Sequence, residues 1–134
     1  MFHILLVEDN GGDALLVREA IRNSRVEARV TIAADGEEAL RFLNGSLAPD
    51  LIILDLNLPK ISGFDVLERR AATKGVPVIV FTSSGDPKER ERAAKLGVRD
   101  YLVKPSDFDE YMRIIQNAVE RWMQDESNHA TNGA

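Results

Sequence analysis

The 134-residue chain has no cysteine, two histidines, one tryptophan and no apolar run approaching the ~18–20 residues of a membrane span. Without thiols there is no disulfide framework, no thiolate zinc site, no cysteine nucleophile and no redox switch, and this composition fits a reducing cytoplasm. His3 stands at the chain start and His129 in a polar tail, so a histidine triad or histidine metal cage has little to build on. Basic residues are also outnumbered: 17 Lys and Arg against 22 Asp and Glu give a net charge of −5. Sequence-independent nucleic-acid binding works by neutralising phosphates, and an acidic chain disfavours it. Met1-Phe2-His3 begins a strand rather than a charged signal region. What remains is a 44% hydrophobic, 29% charged composition in the ordinary globular range, long enough for one domain with a proper core.

Five short β-branched or leucine-rich runs alternate with five amphipathic stretches, the pattern of repeated β-α units around a parallel sheet. Ile4-Leu5-Leu6-Val7, Leu51-Ile52-Ile53-Leu54 and Val78-Ile79-Val80-Phe81 are apolar without interruption and read as central strands covered on both faces. Glu27 to Ile32 alternates apolar with polar residues and reads as an edge. Val98 to Val103, with Arg99 and Asp100 in its first half, fits the other edge. Asp35-Gly36-Glu37-Glu38 and Ser62-Gly63-Phe64-Asp65 carry helix-start signals, and Pro87 and Gly97 bracket a fourth helix. A last helix of about Asp107 to Gln124 places Phe108, Tyr111, Met112, Ile115, Ala118, Val119 and Trp122 on one stripe, read as core. Right-handed crossovers with these edges predict an α/β fold, a five-stranded parallel sheet of order 2-1-3-4-5, doubly wound and flavodoxin-like.

In such a sheet the site lies at the carboxyl ends of the strands beside the winding reversal. Strand 1 ends in Glu8-Asp9-Asn10, strand 3 in Asp55, strand 4 in Thr82-Ser83-Ser84 and strand 5 in Lys104-Pro105. Carboxylates about 4 Å apart repel by roughly 4 kcal/mol per pair at an effective dielectric near 20, a penalty that a divalent cation removes. Mg²⁺ is the natural candidate, a hard ion held by carboxylates, waters and phosphate. Asp55, at the mouth of a buried strand, can act as a nucleophile toward phosphorus, with Lys104 and the Thr82 hydroxyl compensating the phosphoryl charge. Taken singly, each residue has an ordinary structural use: Glu8-Asp9 as a helix cap, Thr82 as a satisfied strand-end hydroxyl, Lys104 as a solvated charge. Their joint placement on four strand ends carries the functional reading.

Leu6-Val7-Glu8-Asp9-Asn10, Leu54-Asp55-Leu56-Asn57-Leu58-Pro59, Val80-Phe81-Thr82-Ser83 and Tyr101-Leu102-Val103-Lys104-Pro105 together resemble the CheY-like receiver domain of two-component response regulators, over about residues 3 to 123. The resemblance implies that Asp55 accepts a phosphoryl group from a sensor histidine kinase, and that Glu8 and Asp9 hold Mg²⁺ with Asp55 and the backbone carbonyl of Asn57. It implies that Thr82 and Lys104 read the phosphorylated state and that Tyr101 is an aromatic switch turning inward as Thr82 moves. Asn57 and Ser84 match positions that tune self-dephosphorylation. The wording Asp55-Leu-Asn-Leu-Pro-Lys60 with a late Trp122 is similar to stand-alone regulators that partner phytochrome-type kinases.

On this reading residues 1–124 form the receiver and 125–134 a disordered tail, too poor in apolar residues to fold. With no DNA-binding or enzymatic domain expected to follow, output runs through another protein, without direct DNA or membrane binding. Helix 4, Lys88 to Lys95, is mixed in charge and fits either a solvated face or an interface. A last helix of ~18 residues spans about 27 Å against about 20 Å for a six-residue strand, so Trp122 and Met123 are expected to project past the sheet. With Ile114 beside the stripe, they predict a homodimer through helix 4, strand 5 and helix 5. The competing class is a small Mg²⁺-dependent phosphatase with an aspartyl nucleophile. It wants a second acid two positions after the nucleophile, where this chain has Asn57, and a cap domain.

Overall fold

The computed structural model describes residues 1–45, 48–70 and 75–132, with side chains through Ser127. Among the described residues five strands and five helices alternate: β1 (Phe2–Val7), α1 (Gly11–Arg22), β2 (Ala28–Ala33), α2 (Gly36–Leu43), β3 (Leu51–Leu54), α3 (Gly63–Arg69), β4 (Val78–Thr82), α4 (Pro87–Lys95), β5 (Asp100–Val103) and α5 (Phe108–Asn132). All strand pairs are parallel and the order is β2-β1-β3-β4-β5, as the edge and centre patterns predict. Every residue of β3 and β4 is buried, whereas β2 keeps partly open positions along its length.

Period-two alternation divides the core into two layers. Ile4, Leu6, Ile53, Ile79 and Phe81 face a cluster with Val17 and Ile21 of α1 and Tyr111, Ile115, Val119 and Trp122 of α5. Leu5, Val7, Ile52, Leu54, Val78 and Val80 face the other, with Ala39 and Leu43 of α2, Phe64 and Leu67 of α3 and Ala93 of α4. The helix starts follow their local chemistry. Asp35 accepts the Glu38 N–H at 2.8 Å, and Ser62 and Asp65 form a reciprocal capping box. Pro87 sits in the first turn of α4, and Gly97 just beyond it takes φ +84°, a left-handed conformation open to glycine. On α4 only Ala93 is buried, so its charged residues line the outside.

The last helix departs from expectation in three places. Trp122 does not project past the sheet: it is 2% exposed and meets Phe2 edge-on at 4.9 Å. Long helical side chains lean toward the helix N-terminus, so Trp122 covers a patch about a turn before its own backbone, where the first residue of β1 waits. Ile114 and Met123 pack partly buried against the same cluster, so of the three residues invoked for a homodimer only Trp122 is enclosed in the core. Phe108 is 58% exposed instead of part of the stripe, because the stripe first meets the sheet one turn later, at Tyr111 on Phe81. Finally, α5 runs to Asn132 rather than ending at Gln124, so 125–132 are helical where a disordered tail was expected. Arg99 of the strand-5 approach holds Asp125 at 3.1 Å and Glu126 at 3.4 Å, fastening the start of that extension. Gly133 and Ala134 lie outside the described residues. No helix among the described residues is long and apolar enough to cross a membrane.

Candidate functional site

Register brings the strand ends together. Val7 pairs with Leu54, and the Asp55 N–H donates to the Val7 carbonyl at 3.0 Å, so Glu8 and Asp55 emerge side by side at the reversal between β1 and β3. Thr82 pairs with Val103, and the Lys104 N–H donates to the Thr82 carbonyl at 2.7 Å, which aims the Lys104 side chain back across the strand tops. The structure thus gathers Glu8, Asp9, Asp55, Thr82 and Lys104, with Asn57 just beyond.

Glu8 and Asp55 are buried carboxylates, and Asp9 beside them is exposed. One oxygen from each lies within 4.8 Å of the others. The Lys104 ammonium donates to Glu8 Oε1 at 2.6 Å and to Asp55 Oδ2 at 2.9 Å. The other Asp55 oxygen accepts the Asn57 N–H at 3.0 Å, and Glu8 Oε2 accepts the Asn10 N–H at 3.1 Å. The helix-cap alternative for Glu8-Asp9 does not hold, since Asn10 is the N-cap of α1 and its side chain accepts the Asp13 N–H.

Burial pushes the Glu8 carboxyl up to about 7, and the nearby Asp55 charge adds to this, while the Lys104 and Asn10 hydrogen bonds pull the other way. For Lys104 burial alone favours the neutral amine. The hydrogen bonds and charges of Glu8 and Asp55 outweigh it and hold the ammonium well above the usual lysine range. The donor set of three converging carboxylate oxygens with no soft ligand fits a hard divalent cation such as Mg²⁺ or Mn²⁺, which would supply the positive charge these carboxylates lack.

Thr82 is fully buried, and its hydroxyl accepts from the Asn57 side-chain amide at 3.3 Å, leaving the hydroxyl proton available to another acceptor. Tyr101 lies inward, 8% exposed, its hydroxyl donating to the Ser84 carbonyl at 2.7 Å and the Arg90 guanidinium stacked 4.7 Å from its ring centroid.

Two participants escape sequence reasoning. Asp13, in the first turn of α1, accepts from Lys104 at 3.1 Å through one oxygen and from the Tyr111 hydroxyl at 2.9 Å through the other. The N-cap spacing Asn10-x-x-Asp13 was the available signal for Asp13. Tyr111 read only as core, although a buried phenol needs a partner. Burial, then the Asp13 bond and charge, raise the Tyr111 hydroxyl far above the ordinary tyrosine range, so it stays a donor.

A carboxylate held open between an ammonium and a backbone N–H, beside a buried hydroxyl and an acid pair whose oxygens suit a hard cation, can accept a phosphoryl group and spread its charge. Comparison with known proteins agrees with that chemistry. The model of the response regulator receiver domain matches residues 4–116. Response regulator Rcp1 of Synechocystis is 34% identical over 130 residues, covering 90% of this chain and 88% of Rcp1. The probable methanogenesis regulatory protein FilR2 of Methanothrix harundinacea is 35% identical over 130 residues, covering 91% and 84%. Among solved structures, the Mn²⁺-bound form of Rcp1 and the phosphorylated cyanobacterial phytochrome response regulator RcpA each superpose with a TM-score of 0.84 at 34% identity, covering 91% of this chain and 94% of theirs.

Proposed function

The chain belongs to the response regulator receiver domain family, and on that premise we propose that Asp55 is its phosphoacceptor, taking the group from the phosphohistidine of a sensor kinase. The observation that carries this reading is the convergence of Glu8, Asp9 and Asp55 oxygens within 4.8 Å, with the Lys104 ammonium bonded to two of the three residues. It is a signalling reaction. An Asp55 carboxylate oxygen forms a bond to phosphorus as the donor's P–N bond breaks, and the electron pair leaves with the imidazole. The Asn57 N–H and Lys104 hold the Asp55 carboxylate in a fixed orientation beforehand. Glu8, Asp9, Asp55 and the Asn57 carbonyl would hold Mg²⁺, which neutralises charge on the phosphoryl oxygens when bound. The presence of Mn²⁺ in the Rcp1 structure supports a divalent ion here.

Replacing a carboxylate of charge −1 by a phosphoryl group of about −2 draws Lys104 and the Thr82 hydroxyl toward it. Thr82 then gives up the Asn57 amide, and Tyr101, already inward on Ser84, fills the space behind it. The face of α4, β5 and α5 changes accordingly and is read by a downstream protein. Asn57 and Ser84 set how fast water reaches the acyl phosphate. The likeness to RcpA supports a phytochrome-type kinase as donor, in the cytoplasm. The phosphatase reading lacks its acid at position 57, where Asn57 donates to Thr82 instead.

Incubation with a small-molecule acyl phosphate and Mg²⁺ tests the assignment. The wild type is expected to gain an acid-stable, alkali-labile phosphoryl group that Asp55→Asn and chelation abolish. Absence of labelling, or steady turnover of unrelated phosphoesters, would overturn it.

A further inference from the structure

The Lys104 ammonium has three N–H donors, and all three are engaged: Glu8 at 2.6 Å, Asp55 at 2.9 Å and Asp13 at 3.1 Å. A phosphoryl oxygen arriving on Asp55 therefore gains the Lys104 ammonium only if one existing bond is given up. The three differ in what release leaves behind. Glu8 is 3% exposed, and with Lys104 gone only its Oε2 would keep a protein donor, the Asn10 N–H. Asp55 itself carries the incoming group. Asp13 has the longest of the three bonds, is 28% exposed at its side chain, and keeps a second partner in the Tyr111 hydroxyl at 2.9 Å.

We infer that Asp13 and Tyr111 form a positioning pair for Lys104, in which Asp13 competes with the phosphoryl group for the ammonium and the Tyr111 hydroxyl weakens that competition by sharing the Asp13 charge. Asp13 stands on α1 and Tyr111 on α5, whose ring meets Phe81, the residue before Thr82, edge-on at 4.9 Å. Release of Asp13 thus links phosphoryl transfer to the packing of α5 from the side of the sheet opposite Tyr101.

This inference rests on the receiver reading and makes predictions of opposite sign for two substitutions in one network. Asp13→Asn removes the competing charge, so affinity for beryllofluoride with Mg²⁺, a stable phosphoryl mimic, is expected to rise by on the order of threefold to tenfold. Tyr111→Phe keeps the ring on Phe81 but frees the Asp13 carboxylate to hold Lys104, so affinity is expected to fall by a few-fold. In the double variant the Tyr111 change is expected to have no further effect. Calorimetric titration reads the affinities, and amide NMR reads whether Asp13 and Tyr111 resonances shift on mimic binding in the wild type. If both single variants move affinity in the same direction, if their effects add, or if those resonances stay in place, the positioning pair is wrong. Thermal midpoints separate a purely structural role, which would lower stability in both variants without the opposed affinities. Failure of the wild type to bind the mimic, with no acyl-phosphate labelling, would instead sink the receiver reading itself.

Discussion

Glu8 carries an unusual burden for a surface-rich acidic chain: it is a carboxylate 3% exposed, next to a second buried carboxylate, Asp55. Its folded-state value of about 7 against an ordinary 4.5 means that the folded protein binds that proton more tightly than the unfolded chain. With divalent ions chelated, the stability Glu8 contributes is therefore fully present below about pH 4.5 and is lost as pH rises through about 7. Comparing melting temperatures of the wild type and Glu8→Gln at pH 5 and pH 8 in chelator isolates this effect. The difference between the two proteins is expected to shift in favour of the glutamine variant at the higher pH, and a pH-independent difference would contradict the raised value. Lys104 is the counter-example on the same scale. Its place at the end of strand 5 marks it in the sequence as a site residue, but the three carboxylates that surround it, Asp13 among them, are brought together only by the fold.

At the scale of the elements, α3 comes close to the end of β3 at Gly63. A Cβ on Gly63 would stand 2.6 Å from the Asp55 carbonyl oxygen and 2.7 Å from the Leu56 Cα, and the Gly63 N–H donates to the Leu56 carbonyl at 3.0 Å. Those neighbours are backbone and cannot step aside. Gly63→Ala is expected to cost about 1–3 kcal/mol and to slow acyl-phosphate labelling by displacing Asp55. One residue earlier, Ser62→Ala removes the capping box at a cost of about 1 kcal/mol while leaving the Asp55 backbone alone, so labelling is expected to persist. Denaturant melts paired with labelling rates check both; equal labelling defects in the two variants would remove the special role of the glycine. The loop before α3 carries a further constraint, since Lys60 holds φ +64° with the Ile61 N–H donating to the Pro59 carbonyl at 2.7 Å. That turn brings Ile61 against Gly36 of α2, where a Cβ would meet the Ile61 carbonyl at 2.7 Å. Neither close approach is written in the local pattern of Gly36 or Gly63, both of which stand at ordinary helix starts.

For the molecule as a whole, α5 ties the two ends of the sheet together: Tyr111 reaches the site through Asp13, and Trp122 closes the opposite end on Phe2. Trp122 is the only tryptophan, fully enclosed, so it serves as a fluorescence probe of global unfolding. Trp122→Ala is expected to destabilise by about 3–5 kcal/mol, the range for a buried aromatic, with loss of cooperative melting rather than a change in oligomeric state. Removal of 125–134 takes away the Asp125 and Glu126 partners of Arg99, which are half exposed, and the expected cost of losing these two ion pairs stays below about 1 kcal/mol. A large loss of stability on that truncation would show that the helical extension is integral to the domain.

The strand order, the two-faced burial of β1, β3 and β4, and the meeting of Glu8, Asp9, Asp55, Thr82 and Lys104 at one sheet end were legible in the sequence, because parallel strands with period-two burial leave few ways to arrange five such runs. The helix starts at Asp35, Ser62 and Pro87 were legible for a similar reason: capping is local chemistry, decided within four residues. What the tertiary structure alone decided lies in contacts between residues far apart in the chain. The bond of Lys104 to Asp13, 91 positions away, and that of Tyr111 to Asp13, 98 positions away, depend on how α1 and α5 pack on one face, which no spacing encodes. Trp122 was misplaced for the same reason. Helix length sets where its backbone ends, but the direction of the side chain and the presence of Phe2 beneath it decide that the indole is buried.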